Sequence, residues 1–136
     1  PESEKIGRCY GMRKKNFDRL HKGFSGFKRF VSLPFWDKKA EVSWFSFPIS
    51  IKNKAPFSRR ELLKYLEGKR IETRLVFGGN ILNQPAYKNI KCRFIDDLKN
   101  TDLVMNNLFW IGVYPGIKQK QIEYICKIFQ KYLNQK

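Results

Sequence analysis

The chain has 136 residues, of which 42% are hydrophobic and 15% aromatic, too apolar for a disordered tail and the size of one domain or part of one. Its net charge of +16 is spread through every segment, so it speaks to solubility and steering rather than to fold. No apolar run nears the ~18 residues of a membrane span, and the opening PESEKIGR lacks the apolar block of a secretory signal.

Residues 4–22 are expected to form a helix, because Ile6, Cys9, Tyr10, Phe17, Leu20 and Phe24 recur near helical spacing with Arg13–Arg19 on the polar side. Gly7 and Gly11 each weaken its first turns by about 1 kcal/mol relative to alanine, so those turns are expected to lean on neighbours outside this chain. A first residue that is Pro1 and not methionine hints in the same way at a cut chain. Gly23 and Gly26 end the helix. Between Val42 and Ile51, Phe45, Phe47, Ile49 and Ile51 alternate with smaller residues, the period of a half-buried strand. Pro48 cannot donate to a ladder, which places this strand at an edge or at a local break.

Ser58 and Glu61 have capping-box spacing and open a second helix, with Leu62, Leu63 and Leu66 as its buried stripe and Gly68 as its left-handed stop. Ile71, Thr73, Leu75 and Phe77 predict one face of a second strand, ended by a turn at Gly78-Gly79-Asn80, and Gln84-Pro85 keeps the chain beyond that turn extended. A short helix is expected from about Thr101 to Asn107, capped by Asn100 or Thr101. Phe109–Val113 is the third strand, stopped by Pro115-Gly116. Lys118–Leu133 carries Ile122, Ile125, Cys126, Phe129, Tyr132 and Leu133 along one side, an amphipathic terminal helix. This order predicts an α+β unit, a short and mainly antiparallel sheet covered by helices on one face, with residues 1–30 as a leading helix and 31–136 as a small domain.

The residues exclude several chemistries. Cys9, Cys92 and Cys126 are odd in number and far apart, which predicts free thiols in a cytoplasmic setting; with one histidine, no metal site is expected. His21 has no orienting partner in sequence and is expected at the solvent side of the first helix or at its end. Neither a phosphate-cradling glycine loop nor a dinucleotide fingerprint is present. The segment Lys22–Phe30 is similar to the basic–Gly–aromatic octapeptide of RNA-recognition domains only in its first three positions, and it follows a helix where stacking aromatics need a sheet.

The second half carries the distinctive stretches. Ile71-Glu72-Thr73-Arg74-Leu75-Val76-Phe77-Gly78-Gly79-Asn80 is followed by Gln84-Pro85-Ala86-Tyr87, by Asn100-Thr101-Asp102, and by Met105-Asn106-Asn107-Leu108-Phe109-Trp110-Ile111-Gly112-Val113-Tyr114-Pro115-Gly116. Together with Arg13–Phe17 and Ser43–Phe47, in this order, they resemble the C-terminal domain of the DegT/DnrJ/EryC1/StrS sugar aminotransferase family, nearest its 3-dehydratases for nucleotide-linked 4-keto-6-deoxyhexoses. Gly78 stands where the family pattern carries alanine.

The resemblance implies the small domain of a fold-type-I vitamin-B6 (PLP/PMP) enzyme of lipopolysaccharide or deoxysugar biosynthesis. The leading segment would join a missing N-terminal cofactor domain, and the full-length enzyme would be a homodimer. In the dehydratases the cofactor works as the pyridoxamine form, and a histidine replaces the Schiff-base lysine and serves as base for loss of the C3 hydroxyl. Neither that histidine nor the phosphate cup has a counterpart here, so no catalytic residue is expected in this chain and the chain alone is expected to be inactive. Arg74, Asn80, Phe77 and Tyr87 are the expected substrate contacts. For each a blander role also stands: an ion pair of Arg74 with Glu72, capping of the turn by Asn80, and core packing for Phe77 and Tyr87. Asn106, Asn107 and Trp110 are expected to organise their own turn and the domain contact. The rival readings are a sugar aminotransferase of the same family, a small basic nucleic-acid-binding protein, and a truncated remnant without activity.

Overall fold

The structure is a computed structural model that describes residues 2–93 and 95–136; Pro1 lies outside the described residues. Among these, four α-helices and four strands follow in chain order: α1 (Glu2–Gly23), β1 (Val31–Ser32), β2 (Ser46–Ile51), α2 (Arg59–Gly68), β3 (Thr73–Leu75), α3 (Lys99–Asn107), β4 (Leu108–Gly112) and α4 (Gln119–Leu133). The sheet runs β1-β2-β4-β3, every neighbour antiparallel. Phe47, Ile49 and Ile51 of β2 and Phe109 and Ile111 of β4 are buried and share one core with α1, α2 and α4. The opposite face, carrying Pro48 and Trp110, is only half-buried. The expected α+β unit, with an antiparallel sheet covered on one side, is what the chain forms.

Pro48 is accommodated in a strand that is interior and not at the sheet edge. The Val113 amide donates to the Phe45 carbonyl and the Lys52 amide to the Phe30 carbonyl, at 3.0 and 2.9 Å. By the alternation of an antiparallel ladder, odd residues of β2 bond β4 and even ones face β1. Because β1 ends at Ser32, opposite Ser50, it stops short of Pro48 and no ladder bond is lost there. The local break, not the edge, is the alternative realised.

Only the second half of α1 joins the core. Phe17, Leu20 and Phe24 are fully buried, and Phe17 stacks on Trp44 with centroids 4.0 Å apart. The helix approaches α4 so closely at Gly23 that a Cβ there would run into the Cys126 sulfur, and burial pushes that thiol's pKa up. In contrast, Ile6 and Cys9 are exposed and a side chain at Gly7 or Gly11 would meet open space, so these residues of the first turns lie outside the core. His21 stands in the last turn of α1, one of its two expected places, but not on the solvent side. It is half-buried, 6.2 Å from the Phe17 ring and edge-on to Trp36 and Phe47. The Trp36 and Trp44 loop, which helical spacing cannot foresee, covers it. Phe24 and Phe27 are buried in the same core and present no face on which a base could stack.

The capping box of α2 forms as expected: the Ser58 hydroxyl accepts from the Glu61 amide and the Glu61 carboxylate from the Ser58 amide, at 3.2 and 2.7 Å. These bonds to Ser58 hold the exposed Glu61 carboxyl below its ordinary pKa. The helix end differs from expectation. Gly68 stays helical, and Arg70 takes the left-handed conformation at φ 60. The Ile71 amide reaches back to the Leu66 carbonyl and the Arg70 amide to Glu67, a Schellman closure with Ile71 packed beside Leu66. Since a side chain in this conformation costs about 1 kcal/mol or more, Arg70→Gly is expected to stabilise the protein by about 1 kcal/mol. A higher urea midpoint at unchanged m-value is the readout.

β3 is shorter than the alternation predicts. Leu75 pairs with Phe109, so Phe77 would face Asn107, which is already in α3. With no partner strand left, the Phe77 amide turns back to the Leu75 carbonyl at 3.0 Å. Phe77 leaves the sheet at φ 44 and is 89% exposed. α3 likewise begins at Lys99, before the expected Thr101, with Leu98 at φ 53 as its N-cap and no capping side chain. The terminal helix matches its predicted face, with Ile128 added to the buried set.

Candidate functional site

Two of the distinctive segments meet on one side of the molecule. After β3 the chain makes two short 3-10 turns, Ile81–Asn83 and Pro85–Tyr87. Asn80 is only 4% exposed and both ends of its amide are engaged. Its Oδ1 accepts from the Leu82 amide at 3.1 Å, and its Nδ2 donates to Asp102 Oδ1 at 2.7 Å. Asn83 Nδ2 donates to the same carboxylate oxygen at 3.1 Å, and Gln84 Nε2 closes the loop onto the Gly78 carbonyl at 2.6 Å. Gly79, at φ 64, lies against Met105 of α3.

Between loop and helix lies a cleft of about 390 Å³, with Val76, Phe77, Gly78 and Gly79 on one wall and Asn100, Thr101 and Val104 on the other. Because Leu98 occupies the N-cap, the Asn100 and Thr101 side chains do not cap α3 and line this cleft instead. The far end of α3 is clasped separately. Arg59 Nη1 donates to the Met105 and Leu108 carbonyls, the latter at 2.9 Å, and burial lowers this guanidinium's pKa from its ordinary value. Asn107 Nδ2 donates to the Ile51 carbonyl at 3.0 Å and to Asn53 Oδ1 at 2.8 Å, which anchors the turn from α3 into β4.

The four expected contacts are therefore dispersed. Phe77 lines the cleft and Asn80 fastens the loop from beneath. Arg74 stands on the open sheet face, in register with Trp110 and through it with Pro48, its guanidinium ion-paired to Glu72. Both partners are exposed, so that pair is worth about 0–1 kcal/mol and leaves Arg74 available. Tyr87 closes the second 3-10 turn, partly exposed. Asn100 and Thr101 are typical capping residues by type, and only the left-handed Leu98, which no sequence rule foresees, gives them their other role. Asn16 falls within a motif but has no signal of its own in the sequence. Its buried amide nonetheless donates to the Tyr114 and Ile117 carbonyls at 3.0 and 3.2 Å and pins α1 to the Pro115-Gly116 turn.

An aromatic wall facing amide and hydroxyl groups suits a polyhydroxylated ligand, with the ring for the apolar face and the polar groups for hydroxyls. The lining has no lysine, arginine or histidine, so it does not fit a cofactor phosphate or a Schiff base. Among the described residues no cluster of His, Cys, Asp and Glu is able to hold a metal, and no helix is long and apolar enough to cross a membrane.

Comparison with known proteins agrees with the sequence resemblance. The model of the DegT/DnrJ/EryC1/StrS aminotransferase family matches residues 4–130. The chain is 39% identical over 129 residues to the lipopolysaccharide biosynthesis protein RfbH of Salmonella typhimurium, covering 95% of this chain and 30% of that protein. It is also 39% identical to the dTDP-4-dehydro-2,6-dideoxy-D-glucose 3-dehydratase of Saccharopolyspora spinosa, covering 95% and 28%. The solved E coli GDP-4-keto-6-deoxy-D-mannose-3-dehydratase with bound hydrated PLP superposes with a TM-score of 0.79 at 23% identity, over 92% of this chain and 32% of that one, a likeness of fold. The chain thus spans about 30% of the length of the curated relatives it matches.

Proposed function

The chain belongs to the DegT/DnrJ/EryC1/StrS aminotransferase family, and from that premise we propose that it is the C-terminal part of a vitamin-B6-dependent 3-dehydratase. Its substrate would be a nucleotide-linked 4-keto-6-deoxyhexose, in surface-polysaccharide or deoxysugar biosynthesis. The observation that carries this reading is the 39% identity, along 95% of the chain, to a protein named as such a 3-dehydratase. The cleft supports it, because both of its walls come from the stretches that resemble the family.

In this reading Phe77 packs against the sugar, Asn100 and Thr101 bond its hydroxyls, and Asn80 holds the turn that presents Phe77. Arg74 grips a phosphate or hydroxyl with its fork of donors, and Tyr87 adds a wall. Cofactor and catalytic histidine are assigned to the part of the protein outside this chain, since the one histidine here is packed among Phe17, Trp36 and Phe47. The first turns of α1, with Ile6 and Cys9 exposed, would lead towards that part. A cytoplasmic homodimer completes the proposal.

The test is to supply the full-length protein with pyridoxamine phosphate and a nucleotide-linked 4-keto-6-deoxyhexose and to follow the sugar by mass spectrometry and NMR. Loss of the C3 hydroxyl is the expected result. Transfer of an amino group to C4 would move the protein to the aminotransferases, and an unchanged sugar would overturn the reading. In the same assay Arg74→Ala is expected to lower kcat/KM about tenfold, and an unchanged kcat/KM would remove Arg74 from the site.

A further inference from the structure

We propose that Asp102 is a positioning residue that sets the width of the sugar-binding cleft. The proposal rests on the assignment of that cleft to the substrate. One wall is the Val76–Gly79 segment and the other is the first turns of α3, with Asn100 and Thr101. Asp102 comes directly after those two residues on the helix that forms the second wall, yet its Oδ1 accepts from Asn80 at 2.7 Å and from Asn83 at 3.1 Å, both in the loop that continues the first. A single carboxylate oxygen thus ties the two walls together.

The remaining ties across this junction are weaker. Asn83 Nδ2 also donates to the Met105 sulfur, a weak acceptor, at 3.9 Å. Gly79 packs on Met105 without a hydrogen bond, and the Gln84–Gly78 bond lies wholly within the loop. A charged acceptor makes the stronger kind of hydrogen bond, and here it serves two neutral amide donors. One of them belongs to Asn80, which is buried and would be left unsatisfied without it. Removing the carboxylate therefore releases Asn80 and Asn83 together and frees the Phe77 wall from α3, while Asn100 and Thr101 stay on their helix. Substrate binding should suffer more than the chemical step, which takes place on groups outside this chain.

The experiment compares Asp102→Ala, Asp102→Asn and Asn83→Ala in the full-length enzyme loaded with its cofactor. Three quantities are read: KM and kcat for the nucleotide sugar, the melting temperature, and the rate of tryptic cleavage after the exposed Lys88 and Lys91. Asp102→Ala is expected to raise KM about tenfold with kcat changed less than about threefold, and to speed cleavage of the loop. Asp102→Asn keeps an oxygen acceptor and is expected to restore KM to within about threefold of the wild type, which a loss of bulk stability would not explain. Asn83→Ala removes an exposed side chain, one of the two bonds to the carboxylate and the weak bond to the Met105 sulfur, so it is expected to give an intermediate KM even where Asp102→Ala does not fold. Faster cleavage with a wild-type KM overturns the proposal, and so does an equal fall of kcat and kcat/KM. Should Phe77→Ala and Thr101→Ala, both in the cleft wall, also leave KM unchanged, the assignment of the cleft itself fails; should they raise it while the Asp102 variants do not, only the role of Asp102 falls.

Discussion

Truncation of Phe24 to alanine is expected to destabilise the protein by about 4 kcal/mol, the middle of the range for a buried aromatic. Its side chain is wholly buried, and its ring lies 5.3 Å from Phe27, 5.3 Å from Phe47 and 4.8 Å from Phe129. Those neighbours sit in the turn after α1, in the interior strand β2 and in α4, so one ring joins three parts of the core. The size of the loss depends on how far the site can collapse once the ring is gone. Here it has little freedom to do so. Phe47 is held in β2 by its pairing with Ile111 of β4, Phe27 and Phe129 also pack on each other, and α1 is pinned by the Asn16 amide. The cavity should therefore stay largely open. Urea unfolding of the full-length protein, followed by tryptophan fluorescence, measures the effect. Trp36 and Trp44 report this region, since both contact Phe17. A loss below about 2 kcal/mol would mean that α1 slides toward α4 and fills the space.

How far the fold is legible from the residues depends on which forces decide each element. Where burial decides, the pattern is sufficient: the faces of β2 and α4, the stripe of α2 and the second half of α1 lie where periodicity places them, while Phe45, one residue before β2, is exposed and falls outside the expected face. Where the backbone leaves its ordinary conformation, it is not. Arg70, Phe77 and Leu98 all take positive φ, as glycine would, and nothing in their types announces it. Each displaces an expectation: the end of α2, the length of β3 and the start of α3. Tertiary context imposes these conformations, through the Schellman closure at Arg70 and the missing strand partner at Phe77. The two-residue β1 is too short for any periodicity, and His21 departs from its expected side because its cover comes from a loop.

The candidate site divides in the same way. Its segments are legible as motifs, because their composition is unusual, but the division of labour inside them is not. Asn80 and Asn100 are chemically identical and both are typical turn or capping residues. One is buried under a carboxylate while the other lines a cleft, and only the left-handed Leu98 separates the two outcomes.

The second large effect is expected from the smallest change in the loop. Gly79→Ala should lower kcat/KM of the full-length enzyme on the order of 100-fold, the loss that goes with moving a positioning element by about an ångström. Two penalties act on the new methyl group. At φ 64 an L-residue is disfavoured by about 1–2 kcal/mol. A Cβ would also come within 2.5 Å of Met105 Cγ and 3.0 Å of Met105 Cβ. The thioether end of a methionine can swing aside, but its Cβ cannot, and Arg59 clasps the Met105 carbonyl so that α3 is not free to retreat. The loop must give way instead, carrying Phe77 and Gly78 away from Asn100 and Thr101. Gly78 itself has open space around it and no positive φ, so alanine there meets neither penalty. A double variant, Gly79→Ala with Met105→Ala, separates the two causes. It removes the Cγ contact and should recover part of kcat/KM, and what remains measures the backbone strain together with the residual Cβ contact. If folded Gly79→Ala enzyme kept its wild-type kcat/KM, the seating of this loop on α3 would have no part in catalysis, and the substrate would have to be sought on the open face of the sheet, beside Arg74 and Trp110.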